Sequence, residues 1–334
     1  MDAAKETALR AAAEDKRERL RRAGRLMRRH GGSVLFGIFR FVVLFGLIFL
    51  ILYPFIFMII TAFRSEVDLQ DPTVVWITRH YTLDNFRTFL STVDFGDMMS
   101  MTVIISLGSA ILQTFIGGLA GYGFARFKFR GRNVLFGLLL FTIIVPPQTI
   151  MMQLFVLFRY FNALIFSPVV YLSTGSWTLN LINTPFPNLI LALFGMGLRS
   201  GLFIYIYRQF YRGLPRELEE AARIDGSGAI GTYFRVMLPN ARAAMVTVFM
   251  LSFVWNWNDA YTQSYYLMSR NTVAIYLSGI HENLRSASAL GEDPTYLYIL
   301  IQAGALLCIL PLILLFLFGQ KYFTESMERT GIVG

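Results

Sequence analysis

The sequence predicts an all-α membrane protein of six transmembrane helices with both termini cytoplasmic. Three observations predict it. Hydrophobic residues fill 55% of the 334 positions and charged residues only 15%, where a soluble domain carries about 25% charged. The apolar residues gather in six blocks, each near the roughly 20 residues that cross a bilayer. Lys and Arg are shared unevenly between the connections. These observations exclude other classes. A soluble fold of this size needs a more charged surface, and disorder needs low hydrophobicity. Barrel strands are about ten residues long and alternate. One Cys and three His leave no disulfide framework within the chain and no multi-thiolate metal centre.

The elements follow in order. A tail, 1–40, carries eleven Lys and Arg and reads as a basic helix attracted to anionic lipid. It lacks the aromatic interleaving of a nucleic-acid binder. Block one, 41–63, has no charge and is too long and too far from the start for a signal core. With the outer loop after it, block one makes the segment 41–100. Blocks at 101–122, 134–157, 188–207, 243–261 and 298–319 make a five-helix core, 101–319, followed by a cytoplasmic tail, 320–334. Pro146-Pro147 near the middle of block three predicts a kink. Arg199 falls about mid-helix in block four, where it must face protein, water or a counter-charge.

Orientation rests on basic residues, which accumulate in cytoplasmic segments. The two tails and the connections after blocks two and four hold 23 of the 30, and the opposite side holds six. The first outer loop agrees, because six acids there (Glu66, Asp68, Asp71, Asp84, Asp94 and Asp97) outnumber three Arg.

The connection at 213–239 carries the most information. Pro215 suits the first turn of a helix. Glu217, Glu219 and Glu220 stand near the positive end of its dipole, and Gly226 suits the left-handed stop. The result is a helix of about ten residues, too short and too charged to span. Leu218, Ala221 and Ala222 share one face, and the Ala pair lets another surface approach closely. A second short amphipathic segment runs from Ala229 to Met237 and ends at Pro239. From the residues alone, this elbow reads equally as a docking knob or as an interfacial helix on lipid.

The run Glu220-Ala221-Ala222, three residues, Gly226, nine residues, Val236-x-Leu238-Pro239 resembles the EAA loop of permease subunits in ABC importers. Only Val236 departs, standing for Ile. Arg208-Gln209-Phe210, Leu214-Pro215, Ile224-Asp225-Gly226, Phe124-Ala125-Arg126-Phe127-Lys128-Phe129-Arg130-Gly131 and Thr82-Leu83-Asp84-Asn85-Phe86 are similar to the carbohydrate-importer branch. So is the ending from Gln320 to Gly334, which looks like a maltose-type second permease. Two features depart from that branch: a longer connection at 161–187, and Met101-Thr102 where Asn-Ser or Asn-Thr often opens helix two.

The resemblance implies a type I importer permease in a bacterial cytoplasmic (inner) membrane. It implies a second permease subunit in a heterodimer, an ATP-binding cassette ATPase dimer that binds ATP and Mg, and an extracytoplasmic solute-binding protein. Glu217, Leu218, Glu220, Ala221, Ala222, Asp225, Gly226, Leu238 and Pro239 would then couple the chain to the ATPase, and a bulky charge at Ala222 or Gly226 would uncouple it.

The remaining chemistry is sparse. The phosphate-binding loop is absent, since Lys5, Lys16, Lys128 and Lys321 are the only lysines and none follows Gly. The expectation is a transport subunit without catalysis and with no cofactor of its own. Trp255, Asn256, Trp257 and Asn258, with Asp259, lie roughly 20–25 Å into helix five at 1.5 Å per residue. Aromatic faces beside amides suit a sugar, and they equally suit an interfacial aromatic belt. Trp255, Asn256, Trp257, Asn258 and Arg199 are the candidate substrate-path residues. Alternatives are an importer for another solute, such as glycerol phosphate or a peptide, and a self-contained secondary transporter, although no internal repeat supports the latter.

Overall fold

The computed structural model describes residues 36–331, except 72, 75, 163–170, 173–174 and 288–293. Most of the predicted basic helix, and part of the 161–187 connection, lie outside these residues. Among the described residues the chain is helical, with two isolated backbone bridges and no strand.

Among the described residues three helices are long and apolar enough to cross a membrane alone. They are α1 (Phe36–Ala62), α4 (Phe95–Arg126) and the apolar part of α15 (Pro294–Gly331). Between α1 and α4 lie α2 (Glu66–Gln70) and α3 (Asp84–Thr92). Asn85 ties this outer segment together, donating from Nδ2 to the carbonyls of Ala62 at 2.9 Å and Arg64 at 2.8 Å.

Predicted blocks three and four are each broken rather than continuous. Block three becomes α5 (Arg132–Ile144), a 3₁₀ turn over Pro147–Thr149, and α6 (Met151–Arg159). Pro146 and Pro147 thus end the helix outright instead of kinking it, because neither can donate the hydrogen bond that would continue it. Block four becomes α7 (Phe186–Leu193) and α8 (Ser200–Gly213). Block five is α11 (Arg242–Trp257), which meets the segment Ala229–Asn240, here α10, at 79°. It stops two residues before Asp259, whose carboxylate instead caps α12 (Ala260–Tyr266) by accepting from the Thr262 N–H at 2.9 Å. Outer helices α13 (Val273–Ser278) and α14 (Ile280–Ala287) lead to α15.

Helix α4 is the centre of the molecule and packs against α7, α8 and α11. Its inward face is built of small and polar residues, including Ser106, Ser109, Gln113, Thr114, Gly117, Gly118 and Gly121. In lipid, where apolar helices gain nothing by leaving the solvent, close backbone approach and hydrogen bonds drive such packing. Gly121 shows the closeness: a Cβ there would lie 2.5 Å from Tyr207 Cβ and 3.0 Å from the Arg208 backbone nitrogen.

Two apolar cores flank this seam. The outer one joins Phe89, Trp257, Tyr276, Leu284, Leu300 and the sole thiol, Cys308. The inner one is aromatic and contains Tyr122, Phe203, Tyr207, Tyr211 and Tyr233. By contrast α1 is exposed from Phe36 to Ile56 and becomes buried at its end, at Thr61 and Ala62.

Candidate coupling and transport site

The connection predicted to couple folds as an elbow beside the C-terminal end of α4. Its first arm, α9, spans Glu217–Ile224 and is eight residues long. Pro215 precedes the capping residue Arg216 rather than occupying the first turn. Gly226 stops the arm as expected, with φ of 77°, a conformation that a side chain would strain. Glu217, Glu219 and Glu220 stand in the first turn and Arg223 in the last, each at the end of the helix dipole that favours its charge.

The faces of α9 differ from those predicted. Ala222 is buried against the chain, Leu218 is half-buried, and Ala221 is exposed with Glu217, Glu220, Asp225 and Ile224. The predicted shared face of Leu218, Ala221 and Ala222 is therefore split, because Ala222 and Glu219 turn inward onto α4 and α10. A bulky charge at Ala222 would disrupt this packing before reaching any partner.

The second arm, α10, contains a π-turn over Tyr233–Met237. The turn carries Tyr233, Met237 and Leu238 into the inner core. Pro239 lies within the short helical end of α10 rather than closing it.

Sequence reading missed what holds this elbow. Arg126, the last residue of α4, donates from Nη2 to the Leu214 carbonyl at 2.6 Å. Its Nε faces Glu219 Oε1 at 3.7 Å, and both side chains are more than 90% buried. Tyr122, one turn back, packs edge-on against Tyr211 at 5.6 Å and tilted against Tyr233 at 5.3 Å. These partners lie far apart in sequence, so no local pattern marks them.

Deeper in the membrane a polar network centres on Gln113 of α4. Its Nε2 donates to the Leu198 carbonyl at 2.8 Å and to Ser200 Oγ at 2.9 Å. Its Oε1 accepts from Ser252 Oγ and from Asn256 Nδ2, the latter at 3.3 Å. Asn256 Nδ2 also donates to the Ser252 carbonyl at 2.8 Å, and Gln263 Nε2 reaches the Asn256 carbonyl at 2.6 Å. Such bonds satisfy groups that hydrocarbon would otherwise orphan.

This network grips the break in block four. Residues 194–199 unwind, with Gly195 at φ 68° and Arg199 at φ 57°. Arg199 is therefore not mid-helix: it caps α8 in the left-handed region, a conformation that costs a residue other than Gly about 1 kcal/mol or more. Its guanidinium lies 4.8 Å above the Trp255 ring, which stacks on Phe203 at 5.5 Å. The predicted path residues divide accordingly. Arg199 and Asn258 are exposed, Trp255 is half-buried, Asn256 is enclosed in the network, and Trp257 is packed on Phe253 at 5.4 Å.

At the N-terminal end of α4, Asp97 pairs with Arg270, whose Nε donates to Oδ2 at 3.1 Å. That hydrogen bond raises the Arg270 pKa, and the attraction between the charges adds to it. In the first outer loop, burial would push the Asp68 carboxyl upward. Bonds from the His80 N–H and side chain and from the Arg79 N–H outweigh burial and hold it below its ordinary value. Among the described residues no group of His, Cys, Asp and Glu could hold a metal.

Comparisons with known proteins give the family. The chain is 30% identical over 235 residues to the arabinooligosaccharides transport system permease protein AraQ of Bacillus subtilis (strain 168), covering 70% of this chain and 72% of that one. It is 27% identical over 285 residues to the melibiose/raffinose/stachyose import permease protein MelC of the same organism, covering 84% and 91%. Its fold matches a chain in the crystal structure of a bacterial ABC transporter involved in the import of the acidic polysaccharide alginate. That match has a TM-score of 0.63 and 18% identity, covering 86% of this chain and 96% of that one. The family of binding-protein-dependent transport system inner membrane components matches residues 113–329, which take in the Gln113 network, the elbow and α11. The chain belongs to that family of inner membrane transport components.

Proposed function

We propose that the chain is one permease subunit of an ATP-driven importer and forms half of the translocation path for a sugar or oligosaccharide. The observation that carries this reading is the elbow, a short helix presenting Glu217, Glu220, Ala221, Asp225 and Ile224 outward from a base locked to the membrane core. The names of its relatives support a carbohydrate cargo. A second permease completes the path in a heterodimer, a solute-binding protein delivers cargo outside, and an ATPase dimer supplies hydrolysis with its own ATP and Mg. Membrane lipid surrounds the assembly.

In this reading the chain crosses the inner membrane six times, with blocks three and four as broken spans. The 23-to-6 division of basic residues supports both termini inside. The α9 face enters a groove on the ATPase, while Leu218, Ala222, Gly226, Leu238 and Pro239 hold its shape. Arg199, Trp255 and Asn258 line the path at one level, since α8 and α11 each place them about 20 Å from the inner end at 1.5 Å per residue. Asn256 and Trp257 brace that wall from behind.

Copurification tests the reading. The full chain, expressed with its partner permease and ATPase, retains the ATPase on a tag placed on this chain. Ala221→Arg, at an exposed position on the docking face, lowers ATPase recovery about tenfold, which corresponds to about 1.4 kcal/mol. Unchanged recovery with Ala221→Arg would remove the docking role, and an unaltered chain purifying alone would overturn the importer reading.

A further inference from the structure

Helix α4 runs for 32 residues, about 48 Å at 1.5 Å per residue, and meets the elbow, the Gln113 network and Arg270 along its length. Its outer end holds Arg270 through Asp97. Its middle holds the broken span and α11 through Gln113. Its inner end holds the elbow through Arg126 and Tyr122. Glu219 is the acid of α9 that turns inward, and Arg126 at the end of α4 is the base that meets it.

We propose that Arg126 is a positioning residue that latches the coupling helix to α4, so that ATPase movement enters the membrane through α4 and reaches its outer end. The proposal rests on the importer reading above. Its geometry is specific. One guanidinium meets two points of the elbow: its Nη2 donates to the Leu214 carbonyl, just before the stiff Pro215, and its Nε faces the Glu219 carboxylate, in the first turn of α9, as an ion pair at 3.7 Å without a hydrogen bond. Two grips fix direction as well as distance, and the fork of an Arg supplies both where a Lys would supply one. The pair is buried, so water and salt do not loosen it, and removing either partner leaves the other charge uncompensated. Gly121 admits Tyr207 against the α4 backbone next to the same turn, which leaves the latched elements no slack to slide.

The test uses the assembled importer with spin labels at Arg216→Cys beside α9 and Lys128→Cys beyond α4. In the otherwise unaltered complex, the distance between them stays single and narrow without nucleotide and after trapping with Mg-ATP and vanadate. Arg126→Ala makes this distribution broad, and Arg126→Lys, which keeps the charge without the fork, gives an intermediate width. A separate label at Ser269→Cys, beside Arg270, changes its spectrum on vanadate trapping. With Arg126→Ala that change is lost while ATP hydrolysis continues, a result that mere loss of stability does not produce. A narrow distance or a preserved Ser269 response in Arg126→Ala would overturn the latch. The distance is read with or without the ATPase, so failure of the ATPase to copurify overturns the importer reading separately.

Discussion

The two ends of α4 carry the same kind of charge pair in opposite surroundings. At the outer end Asp97 and Arg270 are 34% and 40% exposed, and at the inner end Arg126 and Glu219 are 8% and 9% exposed. An exposed pair contributes about 0–1 kcal/mol, because water screens it and two long side chains lose freedom. A buried pair is a different object. It adds little over an apolar contact, yet losing one partner costs about 3–5 kcal/mol. The Asp97–Arg270 contact therefore costs little to break, and the Arg126–Glu219 contact costs much more.

The largest expected effect tests the tightness of the inner end. Gly121→Val drives a side chain into Tyr207 Cβ and the Arg208 backbone, which cannot yield. It should destabilise the assembled complex by about 3 kcal/mol or more, read as a lowered thermal midpoint in detergent. Gly96→Val near the outer end meets only Asp94 Oδ1 at 3.9 Å and should leave the midpoint unmoved. Equal losses would break the comparison.

Gln113→Leu is expected to come next, because it orphans Ser200, Ser252 and Asn256 between the two ends. Each stranded group costs about 1–3 kcal/mol, partly relieved as the neighbours pair among themselves. The same midpoint should fall between the two extremes, and a value matching the unaltered complex would show the network to be dispensable.

The smallest effect is expected at the outer pair. Asp97→Asn should cost less than about 1 kcal/mol, and the difference should vanish at 1 M salt, where charges farther apart than about 3 Å are screened. A loss that persists in high salt would place Asp97 in a drier setting than its exposure indicates.

The elbow was largely legible in the sequence, and the Gln113 network was not. Gly226, the acidic first turn and the Leu238-Pro239 step act through the backbone of their own segment, so spacing alone reveals them. The break at 194–199 was hidden because its residues are apolar and hydropathy averages over them. Gly195 and Gly197 beside an unexplained Arg199 were the available signal. Blocks three and four look like whole spans for the same reason. Asn256 was read as a candidate path residue because an intramembrane amide signals function, and its bond to Gln113 was not legible because Gln113 lies 143 residues earlier. Arg126 sat inside a quoted motif and Glu219 in the acidic first turn, and only folding brings them together.

Cys308, sealed in the outer core at 0% exposure, is the only sulfur of the chain that could be oxidised to a disulfide. Set in apolar packing between α15 and its neighbours, it is hidden from thiol reagents and from oxidants on either side of the membrane. The native chain is thus silent toward maleimide and methanethiosulfonate chemistry without substitution. Any cysteine placed at an exposed position reports on its own site, and the protein can be handled in air without forming covalent dimers.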